Sequence, residues 1–322
     1  MEITLTASDV QAARDRIRPH IRHTPLIRAD QLDPRLGCRV HLKPEMLQVT
    51  GSFKARGALS KALLLRSEEK ARGMIASSSG NHAQALAYAG RLIGARAVLV
   101  VPHDAPSVKV ERTRALGAEV ILFEGSQAAR WAHVDELIAQ RGYTMVHASE
   151  DPAVMAGQGT IALEVLEDAP GIDTIVVPLG GGGLLSGIAA AVKGLAPQVR
   201  VVGVEPALAP KYYVSRQQGR PVRVPAGPSI ADGVKEEMTG ANAYGYIDRW
   251  VDELVVVDEP YIQEGLRLLA EDAKLFAEGA AAVGLGAVLS GRIQVRPESN
   301  VCFVLTGGNW DLGKFASAFK PL

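Results

Sequence analysis

The chain has 322 residues, 47% of them hydrophobic and 22% charged. That length allows one large domain or two modest ones, with ample material for a core. Lys plus Arg and Asp plus Glu both number 35, so there is no electrostatic footprint for nucleic acid and the expected partners are small molecules.

The N-terminal stretch MEITLTASDVQAARDR has an early acid and no long apolar run, so it does not read as a signal peptide. No segment approaches the ~18 uninterrupted apolar residues of a membrane span. The expectation is a cytoplasmic protein without membrane contact. Two cysteines, Cys38 and Cys302, form no disulfide framework and no zinc-type CxxC pattern. Cys302, inside NVCFVLTGG, reads as a core residue.

The stretch QVTGSFKARGALSKALLL, Gln48 to Leu65, predicts a helix opened at Ser52. Lys54 falls in its first turn, where the helix dipole disfavours a cation. Gly57 and Ala58, three and four residues on, are small and are expected to leave the amine room.

From Gly73 onward apolar runs alternate with helical patterns. GMIASSS, RAVLVVP and AEVILFEG each precede a helix, and so do DTIVVPL, VRVVGVE, DELVVVDE and NVCFVLTGG. PYIQEGLRLLAEDAKLFAEG reads as one helix. The runs are rich in Val, Ile and Leu with little alternation, as strands buried on both faces of a parallel sheet are. Strand–helix alternation predicts a doubly wound α/β fold. There are too many units for one sheet. The group from about Gly73 to Val146 is expected to form a small α/β domain, and the rest a larger one. Gly219–Gly233, rich in Pro and Gly, reads as a long loop.

Ligands of open α/β sheets bind beyond the C-terminal strand ends. Two such ends are unusual. ASSSGNHAQALAYAG leads from Ser77, Ser78 and Ser79 into Gly80, Asn81 and His82, a cradle of hydroxyls, an amide and helix-start N–H groups sized for a carboxylate. Ser77 reads as an N-cap. The histidines form no metal-binding cluster. VVPLGGGGLLSGIAAAV places Gly180, Gly181, Gly182 and Gly183 between a buried strand and a helix, which suits a phosphate. A dinucleotide fold is the rival, with Glu205 near the offset of a ribose-binding acid, but the six-residue glycine fingerprint is not met.

A phosphate cradle, a carboxylate cradle and a displaced lysine suggest pyridoxal phosphate, which carries a phosphate and an aldehyde that condenses with lysine. KPEMLQVTGSFKARGA, SSSGNHAQA, PLGGGGLLSGIA, SIADGV and VLTGGNWD resemble, in order, the motifs of the fold-type-II pyridoxal-phosphate enzymes, and within them the threonine/serine dehydratase and serine racemase group. They run from Lys43 to Asp311. The resemblance implies two doubly wound domains, tryptophan-synthase-β-like, with the active site in the cleft between them. The large domain would comprise 1–65 and 148–322, the small one 70–147.

By that resemblance Lys54 is the Schiff-base lysine and catalytic base, and Phe53 packs by the cofactor ring. Asn81 matches the residue bonding the ring hydroxyl, and Gly180–Gly183 match the phosphate loop. Thr306 matches the hydroxyl facing the pyridine nitrogen, and Glu278 an acid near the cofactor. Ser78, Ser79, Asn81 and His82 match the loop holding the substrate carboxylate. The implied reaction is β-elimination from a β-hydroxy amino acid such as L-threonine or L-serine, giving a 2-oxo acid and ammonia. An amino-acid racemase with side dehydratase activity is the alternative, and a nicotinamide-dependent Rossmann oxidoreductase a distant one. Ser79 matches the acid/base hydroxyl of serine racemases, where many dehydratases resemble this loop but carry alanine; it either passes a proton or only holds the carboxylate.

Two further departures stand out. Racemase-like members bind a divalent cation with a glutamate like Glu205 and an acid six residues on, and here that position is Lys211. An ion pair in place of a metal is the expectation. Ser149 replaces an asparagine common in relatives. The resemblance implies a homodimer, and on the length of the chain the expectation is a protein without the C-terminal effector domain of one dehydratase branch.

Overall fold

The structure, a computed structural model, describes residues 4–319. The outermost residues of the expected large domain, 1–3 and 320–322, lie outside that range. In chain order the strands are β1 (Ile27–Arg28), β2 (Arg39–Pro44), β3 (Met74–Ser77), β4 (Ala97–Pro102), β5 (Glu119–Phe123), β6 (Thr144–Met145), β7 (Thr174–Pro178), β8 (Arg200–Pro206), β9 (Glu253–Val257) and β10 (Asn300–Leu305). They form a six-stranded sheet, β1-β2-β10-β7-β8-β9, and a four-stranded sheet, β5-β4-β3-β6. Every pairing is parallel except β1 with β2. This is the expected α/β architecture of two mainly parallel sheets.

The seven apolar runs are β3, β4, β5, β7, β8, β9 and β10. β7 is buried along its whole length and β10 from Val301 onward, so both central strands bury their side chains on both faces. Each large aliphatic so buried contributes about 1.5–3 kcal/mol. β2, which pairs with β10 along its whole length, carries no such signal. Its sequence RVHLKP looks half polar, yet Lys43 is fully buried.

Lys43 belongs to an interior charge network. Its Nζ lies 2.7 Å from Glu164. Arg56 donates to Glu45 at 2.8 Å through both Nε and Nη2, and to Glu164 at 2.6 and 2.9 Å. Thr24 completes it with a 2.7 Å bond to Glu45. Buried charges are tolerable only when paired and hydrogen-bonded in this way. The network ties the 54–62 helix to β2 and to the Pro152–Asp168 helix.

Two helix boundaries differ from expectation. The lysine helix is Lys54–Ala62 and does not open at Ser52. Ser52 forms an isolated antiparallel bridge with Gly307, and Phe53 N–H donates to the Thr306 carbonyl at 3.1 Å. Tertiary pairing therefore claims the two residues before Lys54. The run expected as one helix from Pro260 to Gly279 stops at Glu271, and a new helix spans Gly279–Leu289. Lys274 between them has φ 58°, a left-handed conformation incompatible with a continuous helix. The expected loop Gly219–Gly233 has no helix or strand up to Ala231, but its last two residues belong to a short 3-10 helix, Asp232–Val234.

Gly57 needs a second correction. A Cβ there would run into Gln158 and Val154, and one at Gly157 would lie 2.7 Å from the Gly57 Cα. The two glycines allow close contact between helices 54–62 and 152–168. Gly57 is small for helix packing, not to clear room for Lys54.

Candidate active site

A cavity of about 190 Å³ lies beyond the C-terminal ends of β3, β6, β7 and β10, where open α/β sheets place ligands. Phe53, Lys54, Ser78, Asn81, His82, Gly180–Gly183, Glu278 and Thr306 all line it. Ser79 does not; it is half-buried between Ser78 and Gly80.

Lys54 is the first residue of its helix. Its Nζ donates to the Ala148 carbonyl at 2.9 Å and sits 4.9 Å from the centre of the Phe53 ring. Desolvation of the ammonium lowers its pKa to about 8, against a smaller opposing pull from Glu236. The helix start acts in the same direction.

The glycine loop follows β7. Gly182 has φ +89°. A Cβ at Gly181 would lie 2.6 Å from Ser149 Oγ, and one at Gly183 2.8 Å from Ser149 Cα. The chain at Ser149 thus packs so closely that side chains are excluded at both positions. The N–H groups opening the Gly183–Leu195 helix have no intrahelical acceptor. Free N–H groups at a helix start favour an anion.

The 77–82 loop differs in detail. Ser77 ends β3, and its Oγ accepts from Arg130 Nε at 2.9 Å. The N-cap of the Asn81–Ile93 helix is instead Gly80, without a side-chain cap. Ser78 Oγ accepts from Gly80 N–H at 3.3 Å. His82 is buried, with Nε2 2.8 Å from the Val146 carbonyl. Burial drives its pKa down to about 3, so the ring is neutral and Nε2 carries the proton to the carbonyl. The buried Nδ1 lone pair has no partner among the described residues and would repel a carboxylate. Only the backbone N–H of His82, unsatisfied in the first helical turn, can serve such a group.

Across the cavity, Asn81 Nδ2 donates to Glu278 at 3.1 Å, and Asn309 N–H donates to the same carboxylate at 2.8 Å. Burial raises the Glu278 pKa, and these donors partly offset it. Thr306 Oγ1 and Ser52 Oγ are buried, without a hydrogen-bond partner among the described residues. A buried orphan hydroxyl costs free energy unless something meets it. An orphan threonine hydroxyl, a glycine cradle and a desolvated lysine on one cavity fit pyridoxal phosphate.

Behind the glycine loop, Lys211 Nζ lies 3.0 Å from Glu205, both fully buried. Lys211 also points to the carbonyls of Leu179 at 3.5 Å and Val234 at 3.4 Å. Glu205 accepts from the N–H groups of Tyr212 at 3.1 Å and Tyr213 at 2.8 Å. Burial pushes the Glu205 carboxyl up while the ammonium and these N–H groups pull it back. Tyr212 donates to the Gly181 carbonyl at 3.0 Å, so this ion pair anchors the cradle from behind.

Sequence reasoning missed three cavity neighbours. Ala148 holds Lys54 through a carbonyl, which no side-chain pattern reveals. Glu236 lines the cavity from the segment after the long loop. Asn309 sits inside TGGNWD, a motif recognised as a whole without a role for each member.

The chain as a whole is similar to known proteins. The family described as pyridoxal-phosphate dependent enzyme matches residues 17–307. An L-threonine ammonia-lyase of Thermotoga maritima is 40% identical over 308 residues, covering 96% of this chain and 76% of that protein. The structure of maize serine racemase superposes with a TM-score of 0.93 at 33% identity, covering 98% of this chain and 96% of that one. The crystal structure of a T.th. threonine deaminase gives 0.89 at 40% identity, covering 98% and 100%. With its cavity, its lysine and these matches, the chain belongs to the pyridoxal-phosphate-dependent enzymes.

Proposed function

We propose that the protein is a pyridoxal-phosphate-dependent ammonia-lyase that eliminates water from a β-hydroxy amino acid such as L-threonine or L-serine and releases a 2-oxo acid and ammonia. The observation that carries the reading is the convergence of Lys54, Gly180–Gly183, Ser78 and the helix start at Asn81 and His82 on one cavity. L-Threonine ammonia-lyases at 40% and 42% identity support it.

The cofactor supplies an aldehyde for amines and an electron sink for the bond that breaks at Cα. When it is bound, the glycine N–H groups would hold its phosphate, Thr306 Oγ1 would face the ring nitrogen and Asn81 the ring oxygen, and Phe53 and Glu278 would border the ring. A threonine hydroxyl is neutral, so nothing compels protonation of that nitrogen. Ser78 and the N–H groups of Asn81 and His82 hold the substrate carboxylate. Lys54, its amine brought down to about 8 by desolvation, would take the Cα proton. Ser79 is a second hydroxyl on this loop and the candidate for proton traffic from the other face. Lys211 stands where related enzymes use a cation, and the protein works without a divalent metal.

In this reading 1–65 and 148–322 form the large domain and 70–147 the small one, and the protein is a cytoplasmic homodimer. Among the described residues no helix is long and apolar enough to cross a membrane.

The test is a spectrum and a substrate panel. The purified protein should show a visible cofactor band that borohydride removes and that Lys54→Ala lacks. L-Serine, L-threonine, threo-3-hydroxyaspartate and phenylserine are then assayed for keto acid and for product chirality. Absence of keto acid from every member would overturn the proposal.

A further inference from the structure

We propose that Asn309 is a positioning residue that fixes the side-chain amide of Asn81 in the orientation a cofactor ring oxygen requires. The inference rests on the reading above, in which Asn81 meets that oxygen. Asn309 itself does not line the cavity and acts through Asn81.

A complete hydrogen-bond account carries the argument. Asn309 Nδ2 has two hydrogens. It donates to the Thr50 carbonyl at 2.9 Å and to Asn81 Oδ1 at 2.8 Å, so both are used. A flipped Asn309 amide would aim its own oxygen at two acceptors. With Asn81 Oδ1 held by Asn309, Asn81 Nδ2 faces both oxygens of the Glu278 carboxylate, Oε2 at 3.1 Å and Oε1 at 3.3 Å, and two oxygens so close together share a single amide hydrogen. A flipped Asn81 would set its oxygen against that carboxylate and its donors against the Asn309 donors. The Thr50 carbonyl thus sets Asn309, Asn309 sets Asn81, and one Nδ2 hydrogen of Asn81 remains unspent beside the cavity. Asn309 also pins the far end of the relay, since its backbone N–H donates to Glu278 Oε1 at 2.8 Å.

The site for Asn309 is built closely. Gly51 has φ +70°, and a Cβ there would lie 3.1 Å from Asn309 Cγ. A donor held toward the ring oxygen favours its ionised form over its protonated form. Asn309 therefore sets the protonation balance of a group it does not touch.

The experiment compares wild type, Asn309→Ala, Asn81→Ala and the double variant, each reconstituted with pyridoxal phosphate. Three quantities are read: the ratio of the visible band (ring oxygen ionised) to the near-ultraviolet band (protonated), the cofactor Kd by dialysis, and the Tm of cofactor-free protein. Asn309→Ala should lower the band ratio and weaken binding by about tenfold, the weight of one charge-assisted hydrogen bond. In the Asn81→Ala background it should change neither further. A variant with lowered Tm but wild-type band ratio, or effects that add across the two sites, would overturn the inference. If Asn309→Ala does not fold, Asn309→Asp, which keeps the shape and loses both donors, carries the same expectation. Wild type that binds no cofactor would remove the functional reading itself, and this inference with it.

Discussion

The ammonium of Lys54 donates to the carbonyl of Ala148 at 2.9 Å, across 94 residues of chain. The lysine precedes the four-stranded sheet and the carbonyl follows it, so the contact joins, at the cavity wall, the two chain segments that flank that sheet. Desolvation there brings the amine to about 8. In cofactor-free protein, labelling of Lys54 by an amine-reactive reagent should therefore be slow below pH 8, where the amine is protonated. It should rise through pH 8 and level off above it. Mass-spectrometric labelling rates measure this, with Lys54→Ala as the blank. A midpoint near the ordinary lysine value of 10.5 would contradict it.

Arg56, two residues on, tests how the lysine helix is held. Arg56→Met should leave Glu45 and Glu164 facing each other without their shared guanidinium. Breaking a buried network from one side costs about 3–5 kcal/mol. Urea denaturation of cofactor-free protein should show that loss. An unchanged midpoint would mean that the network contributes nothing to stability.

The Glu205–Lys211 pair makes a prediction about metals. Activity should be the same after extensive chelation as before it, and Mg²⁺ should add nothing. Lys211→Met should destabilise the protein by about 3–5 kcal/mol, because Glu205 is left buried and unpaired. Chelator-sensitive activity restored by Mg²⁺ would refute the first expectation.

Ser79 separates elimination from racemisation. We expect wild type to exchange the Cα hydrogen of serine with solvent deuterium, and Ser79→Ala to lose that exchange from the second face while still forming keto acid. Isotope analysis of recovered L- and D-serine measures both. No deuterium and no D-serine with wild type would reduce Ser79 to a carboxylate contact.

Much of this was legible because glycine, lysine and strand patterns are local. The strands β7 and β10 announce themselves by uninterrupted burial, and Lys54 by its place at a helix start. β2 was not legible because Lys43, which sits in a core position, looks polar until its partner Glu164 arrives from beyond the four-stranded sheet. The opening of the lysine helix failed for a related reason, since Ser52 is claimed by Gly307 from the far end of the sequence. Gly57 was noticed for the wrong neighbour: the sequence offers Lys54 and hides Gln158. The orientation of Asn81 depends on Asn309 and Glu278, and a single motif does not encode such a relay.

The four-stranded sheet carries one last consequence. Its first and last strands, β3 and β6, are hydrogen-bonded neighbours, with Ile75 opposite Met145. The chain therefore enters and leaves this sheet side by side. A segment whose two ends meet can be exchanged between relatives as a cassette, with two adjacent splices and no rethreading of the larger sheet. Substrate preference, to the extent that it resides in the 78–82 loop, should travel with the cassette, while the lysine and the glycine cradle stay behind.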